Sequence, residues 1–136
     1  VTVKLSTAIP ADWKNCEPYL AKAIARVKDW SLQGVALAAL RGDIVLWKVE
    51  EDDIIIGSGA TQIEQTQDTR RLTVLLFSGE GNWFESFPQL KQVAADCGCN
   101  RIYGEGRPGW LRKLGATPII AWELPIGDAG HNQESS

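Results

Sequence analysis

The chain has 136 residues, 44% of them hydrophobic, and a formal charge of -3, which suits one domain with a sizeable core. The acidic balance offers no overall attraction to nucleic acid or to an anionic membrane, so neither is expected as a partner. The longest apolar runs, Ile54 to Ile56 and Val35 to Leu40, fall far short of the roughly 20 residues a bilayer span requires, and a soluble, cytoplasmic protein is expected.

The opening stretch "VTVKLSTAIP" alternates, placing Val1, Val3 and Leu5 on one side, which is the period-2 signal of a half-buried strand and not the basic-then-apolar order of a signal peptide. Leu20, Ala23, Ile24 and Val27 then recur at helical spacing, with Asn15 as the expected cap that would make Pro18 tolerable. Ser31 is the N-cap expected for a second helix, whose apolar side is Leu32, Val35, Ala36, Ala39 and Leu40 and whose end lies at Gly42.

"DIVLWKVEE", "DIIIGSGATQIEQ" and "RRLTVLLFSG" are rich in β-branched and aromatic residues and joined by short turns, predicting an antiparallel meander. Gly57 and Gly59 inside the second strand point to a bulge or a close backbone approach. "LTVLLF" is apolar on both faces, as a covered central strand should be. From Asn82 to Cys97 the spacing turns helical, with Gly98 as the stop. "RIY" predicts a short strand, "GWLRKLG" a short helix and "PIIAWELPI" a last strand. The predicted order is β-α-α-β-β-β-α-β-α-β over one domain, residues 1–126, followed by a polar tail, 127–136, expected to be disordered.

Three cysteines and one histidine make a poor metal set: Cys97-Gly98-Cys99 has no second pair, and His131 sits in the polar tail. No structural metal is expected, and the cysteines read as free thiols of a reducing compartment.

Two glycine stretches bear on function. Gly104, Gly106 and Gly109 spell G-x-G-x-x-G, but too little sequence follows for the second parallel strand and acidic residue of a dinucleotide site. A strand exit followed by a helix with Pro108 in its first turn is the more economical reading. "FSGEGNW", residues 77–83, lies between the central strand and the long helix, where backbone N–H groups would point outward together. It reads either as an anion site, with Glu80 as an unfavourable charge, or as an ordinary loop capped by Asn82.

Of six tryptophans, Trp47 and Trp122 fall on strands and Trp13 and Trp30 flank the first helix, which suits packing in the core or at its rim. Trp83 and Trp110 begin helices at one end of the expected sheet and would either wall a pocket or anchor a protein partner. Arg107 is the residue best placed for an anionic ligand, because a guanidinium offers a rigid fork of donors. Arg70, Arg71, Arg101 and Arg112 are expected in solvent.

This order of elements, with "IVLWKVEEDDIIIGSGATQI" and "VAADCGCNRIYGEGRPGWLRKLGA", resembles the GNAT family of N-acetyltransferases over residues 1–126. It is similar in particular to short GNAT-like proteins encoded by bacteriophages, in which a "GRPGW" turn opens the penultimate helix. The resemblance implies an α/β (α+β) fold, with a mixed, mostly antiparallel sheet of about six strands and helices on both faces. The sheet would splay between "LTVLLF" and "NRIYG", and acetyl-CoA or CoA would lie in the gap. Its pantetheine amides would pair with the strand edge from Leu75 to Phe77 like an added strand.

The family's pyrophosphate loop, Arg/Gln-x-x-Gly-x-Gly/Ala, falls here on Ser78-Gly79-Glu80-Gly81-Asn82-Trp83. Gly79 and Gly81 keep small residues and Asn82 completes the cofactor set with Arg107. The Arg or Gln is absent, Glu80 brings a negative charge, and Trp83 is bulky. The tyrosine that serves the family as general acid is replaced by Leu111, leaving Tyr103 to substitute. Glu64 and Glu105 are the carboxylates placed to act as general base.

The resemblance thus implies a GNAT-like protein that binds acyl-CoA, with N-acyltransferase activity weak or lost. Its alternative is a non-catalytic virion, morphogenesis or host-interaction protein with a phage or host protein as partner. It would work in the host cytoplasm or the virion. The acceptor substrate and oligomeric state are not legible in the sequence.

Overall fold

The computed structural model describes residues 2–27, 29–104, 117–118 and 122–126. Its elements are β1 (Val3–Thr7), α1 (Trp13–Val27), α2 (Leu32–Arg41), β2 (Val45–Glu51), β3 (Ile54–Gln65), β4 (Arg70–Gly79), α3 (Phe87–Asp96), β5 (Arg101–Gly104), β6 (Thr117–Pro118) and β7 (Trp122–Pro125). Two 3-10 turns, Pro10–Asp12 and Trp83–Ser86, precede α1 and α3. The order through β5 is the expected one. Where about six strands were expected, the described residues form seven, because the two-residue β6 precedes the last. The helix expected at "GWLRKLG" and the polar tail lie outside the described residues.

Two compact units are present, one of Val1–Gln62 with Val74–Leu90, the other of Ile63–Thr73 with Lys91–Ser136. In the first unit β1, β2, β3 and β4 lie side by side in that order. β1 and β2 are antiparallel with Leu5 opposite Val49, and β2 and β3 antiparallel with Trp47 opposite Gly59. Between Val49 and Glu50 the register with β3 shifts, the bulge that the strand glycines foreshadowed.

Alternation sorts the side chains of this sheet onto two covered faces. On one, Ala60 and Leu76 meet Cys16, Leu20 and Ala23 of α1, Val35 and Ala38 of α2, and Ile44. On the other, Phe77 packs against Trp83 and Phe87, with ring centroids 5.3 and 5.7 Å away. Burial holds the Cys16 thiol above its ordinary pKa, so it behaves as a packing group.

The helix ends have identifiable causes. Ser31 Oγ accepts the Gly34 N–H at 3.0 Å and Gly42 takes φ 79°, as expected for the start and stop of α2. Of the expected apolar side of α2, Val35 is buried and Leu32 and Ala39 pack against the core beside Ala38, whereas Leu40 is 78% exposed, because α2 meets the core along a narrower stripe than its apolar content allows.

Asn15 does not cap α1; the helix already starts at Trp13 and runs through Pro18. The start is fixed upstream, where Asp12 Oδ2 accepts the Ile9 N–H at 2.9 Å and pairs with Lys48 at 3.0 Å. Burial of Cys16, Leu20 and Ala23 offsets the backbone bond that Pro18 forgoes.

The Ile9 N–H bond first, and then Lys48, lowers the Asp12 pKa below the ordinary 3.8. A depressed folded pKa contributes stability that is present above the ordinary value and lost as pH falls through the folded one. Asp12→Ala is therefore expected to cost about 1 kcal/mol at neutral pH, a difference that shrinks in acid. Urea melts of both proteins at neutral and acid pH check this, and a constant gap would refute it.

In the second unit the end of the β3–β4 hairpin is closed by the Thr66 N–H bonding the Thr69 C=O at 2.7 Å. Beside it the Asn100 N–H bonds the Arg70 C=O at 2.9 Å, and β5 pairs antiparallel with β7, which pairs antiparallel with β6. α3 ends as expected at Gly98, φ 80°, with the Cys99 N–H returning to the Ala94 C=O at 2.9 Å.

The arginines expected in solvent are engaged here. Arg70 Nε donates to the Cys97 C=O at 2.8 Å and Nη1 to Gln65 Oε1 at 3.1 Å, and Arg101 is 5% exposed. Arg112 lies outside the described residues.

Candidate functional site

The outer edge of β4 follows from its ladder with β3. The Glu80 N–H bonds the Ile56 C=O at 2.9 Å, and in an antiparallel pair alternate residues face the partner. Ser78 and Leu76 therefore share that orientation, while Leu75, Phe77 and Gly79 turn their N–H and C=O groups to the edge away from β3. At the hairpin end Arg70 turns its C=O outward, to Asn100. Strict alternation would have given Arg70 and Leu76 the same direction, so one residue between them is out of step, a bulge within β4.

Past this edge the backbone enters the loop of Gly79, Glu80, Gly81 and Asn82. Gly81 takes φ 62°, and a Cβ built there would meet nothing within 4 Å among the described residues. A left-handed residue facing open space is where glycine lets a backbone approach a ligand. Among the described residues no acceptor is bonded by the Gly81 or Asn82 N–H. Asn82 does not cap a helix: its side chain makes no cap bond and Nδ2 instead donates to Glu51 Oε2 at 3.2 Å. The α-helix begins only at Phe87, after the 3-10 turn, because Trp83, Phe84 and Phe87 draw their rings together.

Of the two residues unfavourable to an anion at this loop, Trp83 is packed inward and Glu80 is turned to the α1 side of the sheet. Trp83 is 7% exposed and stacked on Phe77 at an interplanar angle of 16°. A Cβ on Gly79 would lie 2.6 Å from Trp83 Cγ and 2.8 Å from the Ile56 C=O, so Gly79 is glycine to admit the tryptophan.

Glu80, for its part, extends to the α1 side of the sheet, where its Oε2 accepts the Tyr19 hydroxyl at 2.6 Å. The Ser78 hydroxyl points the same way and donates to the Tyr19 C=O at 2.6 Å. Desolvation first, and then the Glu80 carboxylate, pushes the Tyr19 pKa up to about 12, so the hydroxyl keeps its proton at neutral pH.

The catalytic candidates of the second unit form a stack. Glu64 Oε1 accepts from Arg71 Nε at 2.9 Å and from Nη2 at 2.8 Å. Arg71 Cζ lies 3.8 Å from the centroid of the Tyr103 ring, a cation–π contact. Glu64 is therefore an ion-pair partner in this structure, and Tyr103 presents a ring face to a guanidinium. Glu105, Arg107, Trp110 and Leu111 lie outside the described residues.

A second concavity of the first unit, about 450 Å³, is bounded by Ile9, Trp13, Leu40 and Ile44. Its largely apolar wall lacks the donors that a phosphate needs. Tyr19 and the β4 irregularity escaped the sequence reading. A tyrosine at helical spacing gives no hint of its strand partner, and only a change in ladder direction reveals the bulge.

No family model matches the sequence, and no curated protein is similar to it. Solved structures do match in fold. A GNAT family acetyltransferase from Brucella melitensis in complex with acetyl-CoA superposes with a TM-score of 0.63 at 16% identity, covering 98% of this chain and 94% of that one. A predicted acetyltransferase from Clostridium acetobutylicum with acetyl-CoA gives 0.64 at 14% identity, covering 89% and 94%. A subunit of the NatC complex bound to Gag peptide and CoA gives 0.68 at 9% identity, covering 93% and 99%. The chain has the GNAT fold.

Proposed function

We propose that the protein binds CoA or acyl-CoA through the outer edge of β4, at Leu75 and Phe77, and through the amides of Gly81 and Asn82, with Gly79 shaping the loop and Arg107 as a further anion contact. Gly81 carries this reading: a left-handed glycine with open space beside it among the described residues, followed by an amide that bonds none of them, directly after the strand edge. Its support is the fold shared with proteins solved with acetyl-CoA, the turning of Glu80 to Tyr19 and the burial of Trp83 against Phe77.

Transfer of the acyl group to an amine is weak or lost. Leu111 replaces the usual tyrosine, and Glu64 would have to leave Arg71 before taking a proton. Where transfer survives, Tyr103 is the acid and Glu105 the base.

The engagement of Glu64 and Tyr103 by Arg71 also favours a second reading. In it the fold is a non-catalytic scaffold for a phage or host protein, in keeping with the resemblance to phage-encoded proteins.

Thermal denaturation with and without acetyl-CoA separates the two. Ligand at about 100 times its dissociation constant adds about 2.7 kcal/mol to the folded state, a rise of several degrees in Tm. Gly81→Glu is expected to abolish the rise, and an unshifted wild-type Tm in millimolar acetyl-CoA would reject the CoA reading.

A further inference from the structure

We infer that Tyr19 is a positioning residue for the anion loop: by holding the Glu80 carboxylate on the α1 side of the sheet, it keeps a negative charge away from the amides of Gly81 and Asn82. This rests on the CoA reading above and adds to it a residue from a distant part of the sequence.

The geometry is local and one-sided. At the end of β4 the Phe77 ring and the Cα of Gly79 face Trp83, whereas the side chains of Ser78 and, just past the strand, Glu80 face α1. Glu80 is exposed and sits beside Gly81 in sequence, so nothing in its own packing stops its carboxylate from swinging toward the loop. The 2.6 Å bond from the Tyr19 hydroxyl is what restrains it.

A hydroxyl has one proton to give, and the alternative acceptor, the Ile55 C=O, is 3.3 Å away, so the carboxylate is the preferred partner. The backbone of Tyr19 is held independently of its hydroxyl, because the Ser78 hydroxyl bonds its carbonyl at 2.6 Å.

The electrostatic consequence is definite in sign. A freed carboxylate near a bound pyrophosphate repels it, and an exposed charge interaction counts for up to about 1 kcal/mol, or up to about fivefold in affinity. The effect requires the charge on Glu80 and the loss of the Tyr19 hydroxyl together, so the two residues must be coupled, with non-additive effects on binding.

Calorimetric titration of the full-length protein with CoA tests this. Tyr19→Phe is expected to weaken CoA binding by up to about fivefold, and more at low salt than at high salt. Glu80→Gln alone is expected to leave affinity unchanged, because its amide oxygen still accepts from Tyr19. The double variant is expected to recover wild-type affinity, a rescue that mere loosening of the fold would not produce.

If wild type binds CoA and Tyr19→Phe binds it equally well, or if the double variant stays as weak as Tyr19→Phe, this inference falls while the CoA reading stands. If wild type binds no CoA, both fall.

Discussion

Replacing Trp83 by alanine is expected to destabilise the first unit by about 3–5 kcal/mol, the range for deleting a large buried aromatic. The ring is 7% exposed and lies between Phe77 on one side and Phe84 and Phe87 on others, at centroid distances of 5.3, 4.1 and 5.8 Å. Beneath it lie Gly57 and Gly79, which have no side chains to fill the space the ring would leave. Denaturant titration followed by circular dichroism gives the loss directly. Trp83→Phe should recover much of it, since a smaller ring still stacks on Phe77. A loss below about 1 kcal/mol for the alanine variant would show that the ring is not the core of this face.

Gly59→Val is expected to cost about 3 kcal/mol or more, the upper end for overpacking. A Cβ on Gly59 would fall 2.2 Å from Phe77 Cδ2 and 2.5 Å from the Leu76 C=O. Phe77 could rotate only into Trp83, and the carbonyl belongs to the β4 backbone, so the strand itself would have to move. Because that backbone carries the proposed pantetheine edge, the variant should also lose its acetyl-CoA thermal shift. Equilibrium unfolding with and without ligand reads both effects. A Gly59→Val protein as stable as wild type would mean that β3 and β4 are not packed through this glycine.

Much of the architecture was legible because its signals are local. The period-2 runs, the Ser31 cap, the left-handed Gly42 and Gly98 and the doubly apolar "LTVLLF" each depend on a few adjacent residues, and each element appears where it was expected. The misreadings share one cause, the overriding of a local preference by distant partners. Asn15 lost the capping role because Asp12 is held by Lys48 from β2. The α-helix start moved from Asn82 to Phe87 because three aromatic rings drew the first turn into a core. Arg70 and Arg71, still partly in solvent, gained partners because strand pairing brought Cys97, Gln65 and Glu64 within reach, and Arg101 was buried.

The candidate site divides in the same way. That Gly79 and Gly81 follow a central strand is a matter of sequence, and so is the absence of an Arg or Gln ahead of them. Which glycine is left-handed with nothing described near it and which one makes room for a tryptophan is not, since both are equally small and differ in backbone conformation and in what lies opposite. Likewise the negative charge of Glu80 is written in the sequence, but its direction depends on a tyrosine 61 residues away. Composition and periodicity determine which segments become strands and helices, because those preferences are set within a few residues. The direction of each polar group at the loop is decided by tertiary structure, because it depends on partners that only folding brings together.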